Sequence, residues 1–203
     1  MMLSRRFLLS AAVGAPAFAM LPPAHAADAS SPRSERSLGN QDARVTVLEF
    51  FSLTCTHCAG FSRETFPQVK TELIDTGKVR FVYNDFPLDQ VALAAAAVAR
   101  TLPAARYEPF VQALLANQDR WAFGRGVDTR AELWKTAALA GMARPTFDAA
   151  YDDASLKEWI VAQQNAAQTR YKIDATPSFV INGKTTSGAI DFKAFAALVT
   201  AAA

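Results

Sequence analysis

The sequence predicts an α/β fold in the order β-α-β, a block of helices, then β-β-α, and three observations carry that expectation. Two apolar runs rich in β-branched and aromatic residues, 45–51 and 79–83, flank a stretch of helical periodicity, the pattern of a βαβ unit with parallel strands. Residues 88–171 hold several helical patterns and no convincing strand. A last apolar run at 178–181 meets Asn182-Gly183, the strongest short-range hairpin signal, and an amphipathic stretch then closes the chain.

Taken from the N-terminus, residues 1–26 have the three-part layout of a cleavable export signal. Arg5-Arg6 precede an apolar run from Phe7 to Leu21, and Ala24-His25-Ala26 forms a small-x-small cleavage site. A membrane anchor fits less well, because the run is about 14 residues long and broken by Pro16, against roughly 20 needed to span a bilayer. Ser4-Arg5-Arg6-Phe7-Leu8-Leu9 resembles the twin-arginine motif, and the twin-arginine and general secretory routes are both open. Either route leads to an oxidising compartment.

Residues 27–39 are polar and serine-rich, and read as a flexible lead-in. The run 45–51 is nearly continuous in apolar residues, as expected of a central strand covered on both faces. A helical pattern starts at Cys55 and passes through Cys58, Phe61, Val69, Leu73 and Ile74 to Gly77, with Pro67 expected to kink or divide it. After the second strand, 88–102 is alanine-rich and helix-favouring, and 104–117 places Tyr107, Phe110, Val111, Leu114 and Leu115 at helical spacing. Thr129-Arg130-Ala131-Glu132 matches a capping box, Pro145 opens a short helix, and Leu156, Trp159, Ile160, Ala167 and Tyr171 mark the apolar side of a longer one. The expected domains are therefore 40–87 together with 172–203, interrupted by a helical subdomain at 88–171.

The chain has 21 Lys+Arg and 19 Asp+Glu among 203 residues. Arg5 and Arg6 fall in the signal and no acid precedes Asp28, so the exported part carries 19 of each sign. Neutral balance gives no support for nucleic acid as a partner. It suits a protein that meets unfolded polypeptides.

Only two cysteines are present, in the run Cys55-Thr56-His57-Cys58. A zinc site would need two further soft ligands, and the exported part offers a single histidine, His57, between the cysteines. A structural disulfide closing so short a loop would remove little chain entropy. Redox chemistry is the third reading, and it gains from position, since Cys55 falls at a helix start directly after a parallel strand. There a thiolate meets unpaired N–H groups and the positive end of the helix dipole, and a protonated His57 would add charge. Such surroundings lower a cysteine pKa from about 8.5 into the range of roughly 3.5 to 7.5. Cys55 is thus expected to be the exposed nucleophile and Cys58 the buried resolving thiol. Glu49 is an acid in an apolar strand, so it either bends to solvent or stays buried with a raised pKa.

The motifs Val47-Leu48-Glu49-Phe50-Phe51-Ser52, Cys55-Thr56-His57-Cys58, and Ala175-Thr176-Pro177-Ser178-Phe179 with Asn182-Gly183 together resemble the DsbA-like branch of the thioredoxin superfamily. The resemblance runs over essentially the whole exported part. It implies a thioredoxin fold with an inserted all-helical subdomain, a cis peptide before Pro177, and a Thr176 backbone that pairs with a bound substrate strand. It also implies a proton-transfer role for Glu49 at Cys58. The implied activity is a periplasmic thiol–disulfide oxidoreductase that introduces disulfides into unfolded or partly folded exported proteins and exchanges electrons with a membrane redox partner. No cofactor or metal is implied, because the cysteines carry the electrons, and a monomer is expected. Two positions depart from the oxidase pattern: Thr56, where proline is usual, and Thr176, a choice shared with isomerases and reductases. A disulfide isomerase or reductase is therefore the alternative, and a non-catalytic substrate-holding or metal-carrying module a third.

Overall fold

The computed structural model describes residues 31–203; the expected export signal at 1–26 lies outside them. The sheet is built around β2, Val45–Phe51, a run rich in β-branched and aromatic residues. It pairs in parallel with β3, Val79–Asp85, and antiparallel with β4, Ser178–Ile181. Outside these lie β1, Arg36–Leu38, on β3 and β5, Lys184–Ser187, on β4, giving the order β1-β3-β2-β4-β5. The parallel β2–β3 pair is the expected βαβ unit.

The crossover is α1, Thr56–Glu64, and α2, Phe66–Val69, followed by a π-helical turn, Lys70–Ile74. The division falls where the missing N–H of Pro67 predicts it, at the first turn of α2. Gly77, at φ +76, ends the segment. Between β3 and β4 stand α3, Gln90–Thr101, α4, Ala104–Ala116, a π-helical turn Asp119–Phe123, α5, Thr129–Leu139, α6, Arg144–Asp152, and α7, Ala154–Tyr171. The closing helix is α8, Phe192–Ala202.

Strand periodicity divides β2 between two cores. Val45, Val47 and Phe51 face the larger core with Phe61, Phe81, Phe179 and Phe195, while Phe50 and Leu48 pack with Val180, Ala167 and Ile173 on the other side. Phe61 of α1 packs on Phe179 of β4 with the rings tilted by 51° and 4.7 Å between their centres, and Phe179 meets Phe195 of α8 edge-on at 5.5 Å. Each such pair adds about 0.5–1.5 kcal/mol beyond area burial, so this cluster seats α1 firmly on the sheet. At the far end of the hairpin, Asn182 and Gly183 both adopt positive φ, 43° and 87°. The Asn182 Oδ1 accepts from the Thr46 N–H at 3.0 Å, and its Nδ2 donates to the carbonyls of Arg44 and Ala202.

Two expectations need correction. Within the stretch read as a flexible lead-in, residues 36–38 form β1, and Arg36 is 2% exposed. The ordering force is polar: the Arg36 guanidinium donates to the carbonyls of Arg100, at 2.7 Å, and Leu102. Arg100 in turn pairs with buried Asp85, whose other oxygen accepts from Tyr107 Oη at 3.3 Å. A serine-rich segment with one arginine has no apolar period to reveal this. The cap of α5 is Asp128, which accepts from the Ala131 N–H at 3.0 Å, and Thr129 is the first helical residue instead.

Candidate active site

Beyond Phe51 the chain turns through residues 52–55 before α1 begins. The Cys55 N–H donates to the Ser52 carbonyl at 3.1 Å, closing the turn. Side chains from the helical block hold it on both sides. Thr54 Oγ1 donates to Asp89 Oδ2 at 2.7 Å, and Asp89 also caps α3 through the Ala92 N–H. The Leu88 N–H donates to Ser52 Oγ at 3.3 Å. From the other side, Gln118 Nε2 donates to the carbonyls of Leu53, at 2.8 Å, and Cys55, at 3.0 Å.

Cys55 is the N-cap of α1, and its Sγ accepts from the Cys58 N–H at 3.4 Å. No acid lies in the first turn of α1, so the positive helix end is left to the sulfur. On the opposite side the thiol donates to the Thr176 carbonyl at 3.2 Å. These surroundings pull the Cys55 pKa down from 9.0 to about 5. The hydrogen bond with the Cys58 side chain contributes most, burial opposes it, and Thr176 with the N–H groups of Cys58 and His57 adds to the lowering. Thr176 Oγ1 is buried with no other partner among the described residues, so it is free to donate to an ionised sulfur.

The expectation that Cys55 is exposed is corrected: it is 7% exposed, because the loop at Thr176 lies over it. Cys58 is nonetheless more deeply buried, at 0%, and burial together with the neighbouring Cys55 pushes its thiol well above 9. Both cysteines are free thiols. The asymmetry follows from position, since Cys55 stands at the open end of α1 and Cys58 one turn inward against the sheet. His57 is exposed, and it is its backbone N–H that faces the sulfur.

Glu49 does not bend to solvent. It lies on the face of β2 that carries Val47 and Phe51, beside Tyr83 of β3 and Phe179 of β4, and is 4% exposed. Burial first, and then the charge of Cys55, push its pKa from 4.5 up to about 8. Its charge raises the Cys58 pKa in turn. The Thr176–Pro177 peptide is cis, as the resemblance implies. The sequence-identified residues Glu49, Cys55, Cys58, Thr176 and Pro177 thus come together at one end of the sheet. Sequence reasoning missed Thr54, Asp89 and Gln118, for which no motif exists. Among the described residues no cluster of three or more His, Cys, Asp or Glu side chains forms a metal site, and no helix is long and apolar enough to cross a membrane.

The family model described as Thioredoxin matches residues 31–201. The chain is 32% identical over 147 residues to a protein of Rickettsia felis named provisionally as a protein-disulfide oxidoreductase, covering 72% of this chain and 52% of that one. It is 28% identical over 169 residues to the disulfide bond formation protein D of Bacillus subtilis, covering 76% of this chain and 71% of that one. The chain spans about half the length of the rickettsial relatives it matches. Among solved structures, alpha-DsbA1 of Wolbachia pipientis superposes with a TM-score of 0.77 at 29% identity, over 83% of this chain and 90% of that one. Its fold carries the same helical insertion.

Proposed function

The chain belongs to the thioredoxin family, and from that premise we propose that it is a DsbA-like protein-disulfide oxidoreductase that passes the Cys55–Cys58 disulfide to exported proteins. The observation that carries the proposal is the inequality of the two thiols. One sulfur at a helix N-terminus has a pKa of about 5, and the other, one turn away, is sealed and pushed well above 9.

In the oxidised protein a substrate thiolate attacks Cys55 Sγ, the S–S bond breaks, and Cys58 leaves. Cys58 is a poor leaving group as a buried thiolate, and the Glu49 carboxyl, whose pKa burial raises, supplies its proton. A second substrate thiolate then attacks the substrate sulfur of the mixed disulfide and expels Cys55 as the thiolate. The substrate gains a disulfide and the Cys55–Cys58 pair gains two electrons. Because the reduced form is stabilised by the Cys55 thiolate, the disulfide is a strong oxidant. Leu88, 55% exposed, borders the turn at Ser52 and suits contact with apolar side chains of an unfolded chain.

Export to the periplasm is part of the proposal, supported by the layout of residues 1–26, and a mature N-terminus near Ala27 would test it. The reduction potential of the Cys55–Cys58 couple against glutathione tests the direction. An oxidase gives a value toward the DsbA end, about −120 mV, and a value near about −270 mV overturns it in favour of the reductase reading that Thr56 and Thr176 suggest.

A further inference from the structure

Within the turn that presents Cys55, Ser52 Oγ meets Thr54 Oγ1 at 3.2 Å and accepts from the Thr54 N–H at 3.4 Å, and neither bond reaches the carbonyls of Leu53 or Cys55. Residues 52–55 are closed by one backbone hydrogen bond, and the peptide planes at Leu53 and Cys55 are oriented from outside. Both of their carbonyls point at one side chain, the amide of Gln118, which is 6% exposed and uses its two N–H bonds on two acceptors. The Cys55 carbonyl also accepts the first intrahelical bond of α1, from Ala59 at 3.1 Å. Fixing this carbonyl fixes the peptide plane between Cys55 and Thr56, and with it the direction of the first N–H groups of the helix.

We propose that Gln118 is a positioning residue for thiol–disulfide exchange: by bridging the Leu53 and Cys55 carbonyls from the helical block, it keeps the α1 N–H groups aimed at Cys55 Sγ. The inference rests on Cys55 being the nucleophile. It gives the inserted block a chemical task at the cysteine pair. A glutamine is suited to the task because it offers two donors without charge; a lysine or arginine there would bring a cation against the helix N-terminus. Gln118 lies just before the π-helical turn Asp119–Phe123, which is tied to α4 separately by Trp121 Nε1 donating to the Leu114 carbonyl at 2.8 Å.

That separate tie supplies the control. Gln118→Met keeps the volume and removes both donors, whereas Trp121→Phe loosens the same segment and leaves the bridge in place. The Cys55 titration is followed in the full reduced protein by thiolate absorbance and by alkylation rate, with thermal unfolding measured beside it. Gln118→Met is expected to raise the Cys55 midpoint by roughly one pH unit, which makes alkylation at pH 5 about fivefold slower. Trp121→Phe is expected to lower the unfolding temperature and leave the midpoint in place. An unmoved midpoint in folded Gln118→Met, or an equal movement in Trp121→Phe, overturns the proposal. Should Gln118→Met not fold, the wild-type protein decides: the Gln118 side-chain amide signals shift through the Cys55 transition if the bridge senses the sulfur, and flat signals overturn it. An ordinary Cys55 midpoint in the wild type would instead overturn the dithiol reading beneath it.

Discussion

Replacing Glu49 by glutamine should make the reduced protein more stable, and increasingly so as pH rises. In the folded protein the carboxyl holds its proton up to about pH 8, while an unfolded chain releases it near 4.5. Between those values the native state binds one more proton than the unfolded state, so the group subtracts stability with rising pH. At about 1.4 kcal/mol per pH unit the ceiling is near 5 kcal/mol at pH 8, and relaxation of the core reduces it to roughly 2–4 kcal/mol. Cys55 has the opposite sign. Its pKa is lowered from 9.0 to about 5, so its contribution is complete above pH 9 and is lost as pH falls through 5. From pH 5 to 8 the two slopes oppose each other, and the reduced wild type should show a nearly flat contribution from this pair. Glu49→Gln removes one side of the balance and exposes a stability that climbs with pH. Urea unfolding of both reduced proteins at pH 4, 6 and 8, at constant m, gives the difference directly. A difference that does not change with pH would refute the assignment of a buried, protonated Glu49.

Three further outcomes follow from the same geometry. Offered a substrate that already carries a disulfide, Cys58→Ala should accumulate a mixed disulfide, visible on non-reducing gels, as the Cys55 thiolate displaces one substrate sulfur and no Cys58 is present to resolve the product, while Cys55→Ala forms none. Thr176→Val should raise the Cys55 midpoint, because Oγ1 has no other partner among the described residues, while at pH 4, where the thiol is protonated folded or unfolded, stability changes by less than about 0.5 kcal/mol; thiolate absorbance and urea unfolding check the two halves. Asp85→Asn should cost roughly 3 kcal/mol in urea unfolding, since it leaves the buried Arg100 without its counter-charge.

Much of the site was legible because its residues break local rules. An acid inside an apolar strand, two cysteines at a helix start and an Asn-Gly pair after an apolar run each stand out against their surroundings. The parallel pairing of β2 and β3 followed from the helical segment between them, and the division of the crossover from Pro67. What stayed hidden was set by distant contacts. β1 exists because Arg36 finds carbonyls more than sixty positions away, and nothing in its own three residues announces a strand. The π-helical turns leave no periodic trace. Gln118 carries a common side chain at an unremarkable place, and only the approach of the Leu53 and Cys55 carbonyls gives it meaning. The burial of Cys55 depends on the Thr176 loop, joined to it from the far end of the chain.

The bonds that Asn182 makes to Thr46 and Arg44 act on the chemistry from the opposite end of the sheet. Along β2, neighbouring residues look in opposite directions, so Glu49 and Phe50 occupy different cores. If β2 slid by a single residue, a phenyl ring would sit beneath Cys58 and the carboxyl would be stranded among apolar groups on the reverse side. The proton donor proposed for the exchange is thus kept in phase by a turn residue that never meets a sulfur. An error in that hairpin would therefore register as a chemical defect in a protein whose cysteines were untouched.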